Sequence, residues 1–277
     1  MMTSATAAFL GTPELLEALF LQCDMRSLLT SVQRVCRQWR EIAASSPAVQ
    51  AHLYFRPAIP NRSSDSSNSN SATSNNPLLA EVFPPFFEPF AINTSEGFWG
   101  RAEIRALPLA RRPAAFMRED ASWRAMHVRQ PPPRALGVVM PTENYSVVYE
   151  RRPGEAVVRM GELYDHVIRA LTMPGQRWRI LWRGSGAGVG EGAGLGPALL
   201  LESHTTLLQE FNAACTKELL REVDIVLVRT SDPLRSVAIL PSDRDFMAQF
   251  THPARQLDFT PPTRVRGKMS RREQREL

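Results

Sequence analysis

The sequence predicts an α+β fold in which a small helical module precedes a larger domain of mixed strands and helices. Three observations support this prediction. Residues 10–56 are dense in Leu, Val and Ala at helical spacing, and residues 60–77 form a Ser/Asn run with almost no apolar side chain to bury. From about residue 81 to residue 262, one strongly periodic helical pattern is mixed irregularly with short β-branched runs. This irregular order favours an α+β domain over repeated βαβ units.

The N-terminal module is predicted to contain three main helices. Thr12-Pro13 marks the first start, because a threonine hydroxyl can cap exposed N–H groups and proline suits the first helical position. Asp24 can cap the second helix. The third begins near residue 30 and carries one apolar stripe, which consists of Val32, Val35, Cys36, Trp39, Ile42 and Ala43. The Ser-Ser-Pro sequence at 45–47 ends that helix and starts another short one.

This module carries more large apolar side chains than so small a unit can bury. About 45 residues hide too little surface for comfortable stability unless disulfides, a metal or a partner contribute. Its two cysteines, Cys23 and Cys36, are not spaced as a metal-binding or disulfide pair. The surplus therefore predicts a partner protein that covers part of the module.

The segment LGTPELLEALFLQCDMRSLLTSVQRVCRQWREIAASSPAVQ resembles the F-box, especially the F-box of filamentous ascomycete fungi. The family pattern opens with Leu-Pro on the first helix and closes with Val-Cys-x-x-Trp on the third. Here Pro13 and the following ELLEALF match the opening, and Val35, Cys36 and Trp39 match the close. Thr12 stands where the family usually has leucine, which removes one apolar contact.

The resemblance implies that the chain is a substrate receptor of a cullin-type ubiquitin ligase. An F-box docks on a Skp-type adaptor and through it on a cullin, while the following domain holds the target protein to be ubiquitylated. By matching position, the adaptor-contact candidates on the first helix are Pro13, Leu15, Leu16, Leu19 and Phe20. Those on the later helices are Leu28, Leu29, Val32, Val35, Cys36 and Trp39. For any one of them, a place in the module's own core is an equally good interpretation.

Composition divides the chain into four parts. They are the F-box-like module at 10–56, a flexible linker at 57–80, an α+β target-binding domain at 81–262 and a basic disordered tail at 263–277. A flexible linker would let the domain swing relative to the module, unless the segment 82–90 clamps it. The apolar run VFPPFFEPF at 82–90 is too hydrophobic to remain solvated, and we expect it to pack back on the domain as an extended strap. An exposed peptide-docking site is the alternative for this run.

Within the larger domain, periodicity predicts a clear helix at 159–172 and a second helix at 207–220. Short apolar runs predict strands at 136–140, 145–150, 178–182 and 223–228. Trp99 and Trp123 are expected to be core anchors rather than residues that stack on a ligand.

The sequence predicts no catalytic residues, no metal site and no cofactor. In the glycine-rich segment 184–196, glycine falls on every second residue, so the spacing of a phosphate-binding loop is absent. Ser185 lacks a nucleophile elbow, because Arg183 stands where that motif requires glycine. The five histidines are dispersed. We therefore expect a binding protein that is not an enzyme; a hydrolase or transferase would require groups from distant parts of the chain.

The net charge of +5 supports an alternative interpretation, a protein that binds nucleic acid or another polyanion. Residues 264–277 hold six basic and two acidic residues, so the rest of the chain is nearly neutral. A short basic tail is more typical of a solvated terminus than of a reading surface, and we do not expect nucleic acid as a partner. No apolar run approaches the ~18 residues of a membrane span, and no secretory signal is predicted. The scattered cysteines suit a reducing compartment, so the expected location is the cytoplasm or the nucleus.

Overall fold

The chain combines short helices with small mixed sheets, which confirms the α+β class. The computed structural model describes residues 11–58, 73–88, 99–118, 120–141, 146–151, 157–171, 176–183, 216 and 219–231. The glycine-rich segment, most of the helix predicted at 207–220 and the basic tail lie outside these residues. Among the helices of the described ranges, none has the length and apolar character needed to cross a bilayer.

The first four helices form the N-terminal module. They are α1 (Pro13–Phe20), α2 (the contiguous stretches Met25–Ser27, Leu28–Val32 and Gln33–Val35, the middle one a π-helix), α3 (Arg37–Ser45) and α4 (Pro47–His52). α1 packs against α3 and α4. The shared core of the module consists of Leu16, Phe20, Met25, Leu28, Val32, Ala43, Val49 and Leu53.

Capping residues place two of these helix starts as predicted. Asp24 Oδ1 accepts a hydrogen bond from the Ser27 amide at 2.9 Å, and Ser46 Oγ accepts one from the Val49 amide at 3.1 Å. Each bond satisfies an N–H group that the first turn of a helix leaves unpaired. The expected cap at Thr12 is wrong: its backbone is extended before α1, but its side chain does not cap the helix.

The third predicted helix begins later than expected. Cys36 is extended, with φ −158° and ψ 173°, and it interrupts the helical path, so α3 starts at Arg37. The predicted single stripe is therefore divided between two helices. Its buried or half-buried members are Val32 in α2 and residues 39, 42 and 43 in α3, whereas Val35 and Cys36 are exposed at the corner between the helices.

Residues 73–80, which are part of the predicted linker, belong to the packed structure instead. Ser74–Asn75 forms β1, and Pro77–Val82 forms α5. Asn76 caps α5, since its Oδ1 accepts a hydrogen bond from the Leu79 amide at 3.1 Å. A turn of 3-10 helix follows at Pro84–Phe86. The buried side chains of Phe83, Phe86 and Phe87 show that this run packs back on the domain, as helical turns rather than as an extended strap.

Two sheets organise the larger domain. β1 pairs antiparallel with β2 (Arg129–Gln130). The second sheet has the order β4-β3-β6-β5, formed by β3 (Leu136–Pro141), β4 (Ser146–Arg151), β5 (Gln176–Trp182) and β6 (Ile225–Ser231). β3 and β6 are parallel, and the other neighbours are antiparallel. The four strands lie near their predicted positions, whereas the sequence did not indicate their order.

The main core lies where the predicted clear helix packs on this sheet. Four short helices lie between α5 and β2 in the chain: α6 (Arg101–Ala106), α7 (Pro108–Arg111), α8 (Pro113–Phe116) and α9 (Ser122–Ala125). The predicted clear helix is α10 (Met160–Leu171). Trp178, Ile180 and Trp182 alternate along β5 and belong to the same core as the buried side chains of α10. Trp99 and Trp123 are half-buried against this core, which agrees with their expected role. On the other face of the sheet, Leu219 approaches Gly137 so closely that a Cβ there would lie 2.6 Å from its Cδ2.

Candidate functional site

The N-terminal module carries the most exposed large apolar side chains of the part of the chain that the structure describes. They are Leu15, Leu19 and Val35, which are 43%, 37% and 58% exposed. Scattered exposed leucines are ordinary on protein surfaces. Here all three belong to one module of about 45 residues whose own core is small, and this concentration makes the module surface the candidate functional site.

Helix α1 has two apolar faces. Leu16 and Phe20, four residues apart, are fully buried in the module core. Leu15 and Leu19 have the same spacing but precede them by one residue, which rotates them by about 100° around the helix axis. An amphipathic helix needs one apolar face to join a core. The second face therefore remains available to a partner.

The predicted adaptor contacts separate by exposure. The exposed ones are Pro13, Leu15, Leu19, Val35 and Cys36, and the half-buried ones are Leu29 and Trp39. The buried ones are Leu16, Phe20, Leu28 and Val32, and all four belong to the module core. Four of the eleven candidates are therefore core residues, and five remain exposed.

Trp39 is half-buried and packs against the module core from the surface. Its ring packs edge-on against Phe20, with 5.3 Å between centroids and 64° between planes. Such pairs add about 0.5–1.5 kcal/mol beyond their buried area. Next to Trp39, Gln38 Nε2 donates to the Gly11 carbonyl at 3.5 Å, which links the chain before α1 to α3. These contacts with α3 therefore help to fix the orientation of α1 and of its exposed face.

Hydrogen bonds join the module directly to the larger domain around Tyr54. Tyr54 follows α4 and has a φ of 60°, a left-handed conformation that few non-glycine residues adopt. Its carbonyl accepts a hydrogen bond from the His127 amide at 2.7 Å, and its hydroxyl donates to the Asn75 carbonyl at 3.1 Å. These two bonds fix the turn that leads out of the module.

Gln130 in β2 provides a second set of bonds at this joint. Its Nε2 donates to the Ala51 carbonyl and its Oε1 accepts from the Ala58 amide, both at 2.8 Å. At the surface, Arg26 Nη2 lies 2.7 Å from Glu81 Oε1. Three half-buried side chains contact both the module core and the main core; they are Leu29, Phe55 and Leu78. Within the described residues, the module thus packs directly against the larger domain.

His127 is a buried histidine beside the joint. It is 2% exposed, and its Nδ1 has no hydrogen-bond partner among the described residues. Burial and, to a lesser degree, the charge of Arg159 lower its pKa to about 4, so the ring is neutral at pH 7. The described part of the chain contains no group of three or more His, Cys, Asp or Glu that could hold a metal ion.

An open depression of about 340 Å³ lies beside α9. Its lining consists of Phe116, Arg118, Asp120, Ala121, Ser122 and Trp123. Trp123 Nε1 donates to the Phe116 carbonyl at 3.1 Å, and its ring packs against Phe83 and Tyr164. Arg118 and Asp120 pair with each other at 2.6 Å, and this pairing lowers the pKa of Asp120. The depression offers space, but Trp123, Arg118 and Asp120 already contact other residues of the chain, which makes it a weaker candidate for a binding site.

Sequence reasoning missed the residues of the joint. Asn76-Pro77 is a typical helix start and could have placed α5 inside the region assigned to the linker. The sequence around Gln130 does not indicate its role, because its hydrogen-bond partners, Ala58 and Ala51, lie 72 and 79 positions earlier in the chain. The same holds for the left-handed turn at Tyr54, which depends on contacts with β1 and with His127.

Comparison with known proteins gives no relative. No protein-family model matches the chain, and neither a curated protein nor a solved structure matches it. What the chain does is therefore inferred from its own residues and their arrangement.

Proposed function

We propose that this chain is the substrate-receptor subunit of a cullin-type ubiquitin ligase, with the N-terminal module acting as an F-box that binds a Skp-type adaptor. The observation that carries the proposal is the second apolar face of α1. Leu15 and Leu19 stay exposed while Leu16 and Phe20 of the same helix fill the core. The motif residues Pro13, Val35 and Cys36 are exposed in the same module.

Burial of this face by an adaptor is energetically favourable. Fully burying an exposed leucine side chain contributes about 1.5–3 kcal/mol. Leu15 and Leu19 are already more than half covered, so each would add only a part of this value to the binding free energy. Val35 adds a further exposed side chain at the corner before α3. The buried candidates act indirectly, because they hold the helices that present the exposed ones.

The larger domain would then hold the target protein. Its joint to the module, through Tyr54 and Gln130, would set the position of a bound target relative to the adaptor. In this role the chain is a scaffold and not an enzyme, since ubiquitin transfer takes place on other subunits. Its place of action would be the cytoplasm or the nucleus.

The experiment is a binding titration of the full chain with a purified Skp-type adaptor. Leu15→Glu combined with Leu19→Glu places two charges on the exposed face and should weaken adaptor binding by more than about tenfold. Ala44→Glu combined with Ala106→Glu is the matched control, because it adds the same charge at two exposed helix positions outside α1 and should bind like the wild type.

Two results would contradict the proposal. One is failure of the wild type to bind any Skp-type adaptor. The other is unchanged binding by the Leu15→Glu, Leu19→Glu variant. Substituting Leu16 would be a poor test, because this residue is fully buried and its loss would weaken the module itself.

A further inference from the structure

The chain carries its basic charge almost entirely on arginine. Of 33 basic residues, Lys217 and Lys268 are the two lysines, and residues 1–216 contain none. Lysine is among the commonest residues of globular proteins, so this balance is unusual. Neither lysine belongs to the residues that the structure describes.

Packing explains arginine at the buried positions. Arg124 pairs with Asp165 at 2.5 Å, and its guanidinium lies 5.1 Å from the centre of the Trp123 ring. Arg129 donates from Nε to Asn75 Oδ1 at 2.8 Å and lies 4.6 Å above the Trp182 ring. Stacking on a ring while donating several hydrogen bonds requires the planar guanidinium, which a lysine cannot replace.

Packing does not explain arginine at three exposed positions, Arg34, Arg37 and Arg111. Arg37 is 91% exposed and pairs with Glu41 one helical turn later, an arrangement in which lysine serves equally well. Arg34 and Arg111 are exposed in the last turns of their helical stretches. Lysine has nearly the same helix propensity and interacts as favourably with the helix dipole at such positions. The fold would therefore accept lysine at all three sites.

Lysine and arginine differ in whether their side chains can accept ubiquitin. A neutral lysine amine attacks the thioester between ubiquitin and the conjugating enzyme; an isopeptide bond forms, the enzyme thiol leaves and the amine loses a proton to solvent. An arginine guanidinium remains protonated and does not become the acceptor. On the basis of the proposed function, we infer that this receptor resists its own ubiquitylation because the residues that the structure describes include no lysine, which leaves Lys217 and Lys268 as its side-chain acceptors.

The test is a reconstituted reaction with the full chain, a Skp-type adaptor, a cullin with its RING subunit, activating and conjugating enzymes, ubiquitin and ATP. The test variant combines Arg111→Lys, Arg112→Lys and Arg134→Lys, three exposed arginines of the larger domain that lie outside the module surface proposed to bind the adaptor. The matched control has glutamine at the same positions, which removes the charge without adding an amine. Assembly is measured by size-exclusion chromatography and folding by circular dichroism on the same samples.

The lysine variant should carry more than about five times as much ubiquitin as the wild type, with remnants mapped to the new lysines, and the glutamine variant should not. Equal modification of the lysine variant and the wild type in assembled complexes would overturn the inference but not the proposed function. Failure of all three proteins to assemble with the adaptor would overturn both.

Discussion

The module and the larger domain treat their apolar side chains differently. Among the described residues, the core of the larger domain gathers buried side chains from α5 to α7, α10 and the four-stranded sheet, including the fully buried Trp178 and Phe86. The module core is much smaller, and exposed Leu15, Leu19 and Val35 lie outside it. Both parts are rich in the same residue types, so composition does not cause the difference.

The difference follows from size and geometry. A helix that packs on a sheet can cover most of its apolar surface, whereas helices of two or three turns that pack on one another leave outer faces uncovered. A polar outer face is stable in water and gives no reason to expect a partner. On α1 the outer face is apolar, and this distinguishes the module from the larger domain; we propose that a partner covers it.

The largest effect should come from neighbouring leucines on the two faces of α1. Leu16→Ala creates a cavity in the module core and should lower the free energy of unfolding by about 2–5 kcal/mol. Leu15→Ala shortens a residue that is 43% exposed and lies outside the module core, and it should change the free energy of unfolding by less than about 1 kcal/mol. Chemical denaturation of the two variants measures both values. Equal losses would show that Leu15 belongs to the core, and the contrast between the two faces would disappear.

A smaller effect concerns acid stability at the joint. The pKa of His127 falls from 6.5 in the unfolded chain to about 4 in the folded protein, so the unfolded chain takes up the proton first as the pH decreases. The stabilisation is complete above about pH 6.5 and is lost between pH 6.5 and 4, by at most about 3 kcal/mol. The measurement is the free energy of unfolding against pH. His127→Gln should flatten the curve in this window, and an unchanged slope in this variant would contradict the assignment.

The joint itself should give the smallest of these effects. Gln130→Ala removes hydrogen bonds to the main-chain groups of Ala51 and Ala58 and should cost about 1–2 kcal/mol, with faster amide exchange around residue 58. Arg26→Gln is the control, because it breaks the exposed pair with Glu81 and should cost less than about 1 kcal/mol. If Gln130→Ala costs no more than Arg26→Gln, these bonds do not hold the module on the domain.

Local signals in the sequence predicted much of the fold. The periodicity of α10, the β-branched runs of the sheet and the cap at Asp24 are properties of short segments, and each element was found near its expected place. The break at Cys36 was missed, because a helical stripe in sequence does not show where the backbone leaves the helix. The strand order and the bonds of Gln130 depend on residues far apart in the chain, which a single sequence does not bring together.

The sequence indicates which segment forms the candidate site, but not which residues of that segment are exposed. The resemblance named eleven residues, and only their exposure separates Leu15 and Leu19 from Leu16 and Phe20. One position along the helix decides whether a leucine faces the core or the solvent. The boundary between the two faces depends on how α1 packs against α3 and α4, which the sequence does not specify.

Amide hydrogen exchange of the full chain, with and without a purified Skp-type adaptor, tests the central claim most directly. The amides of α1 and of the corner at residues 35–39 should exchange at least about tenfold more slowly in the presence of the adaptor, while those of β5 and β6 should be unchanged. Protection confined to the larger domain, or no protection of α1 at saturating adaptor, would contradict the account.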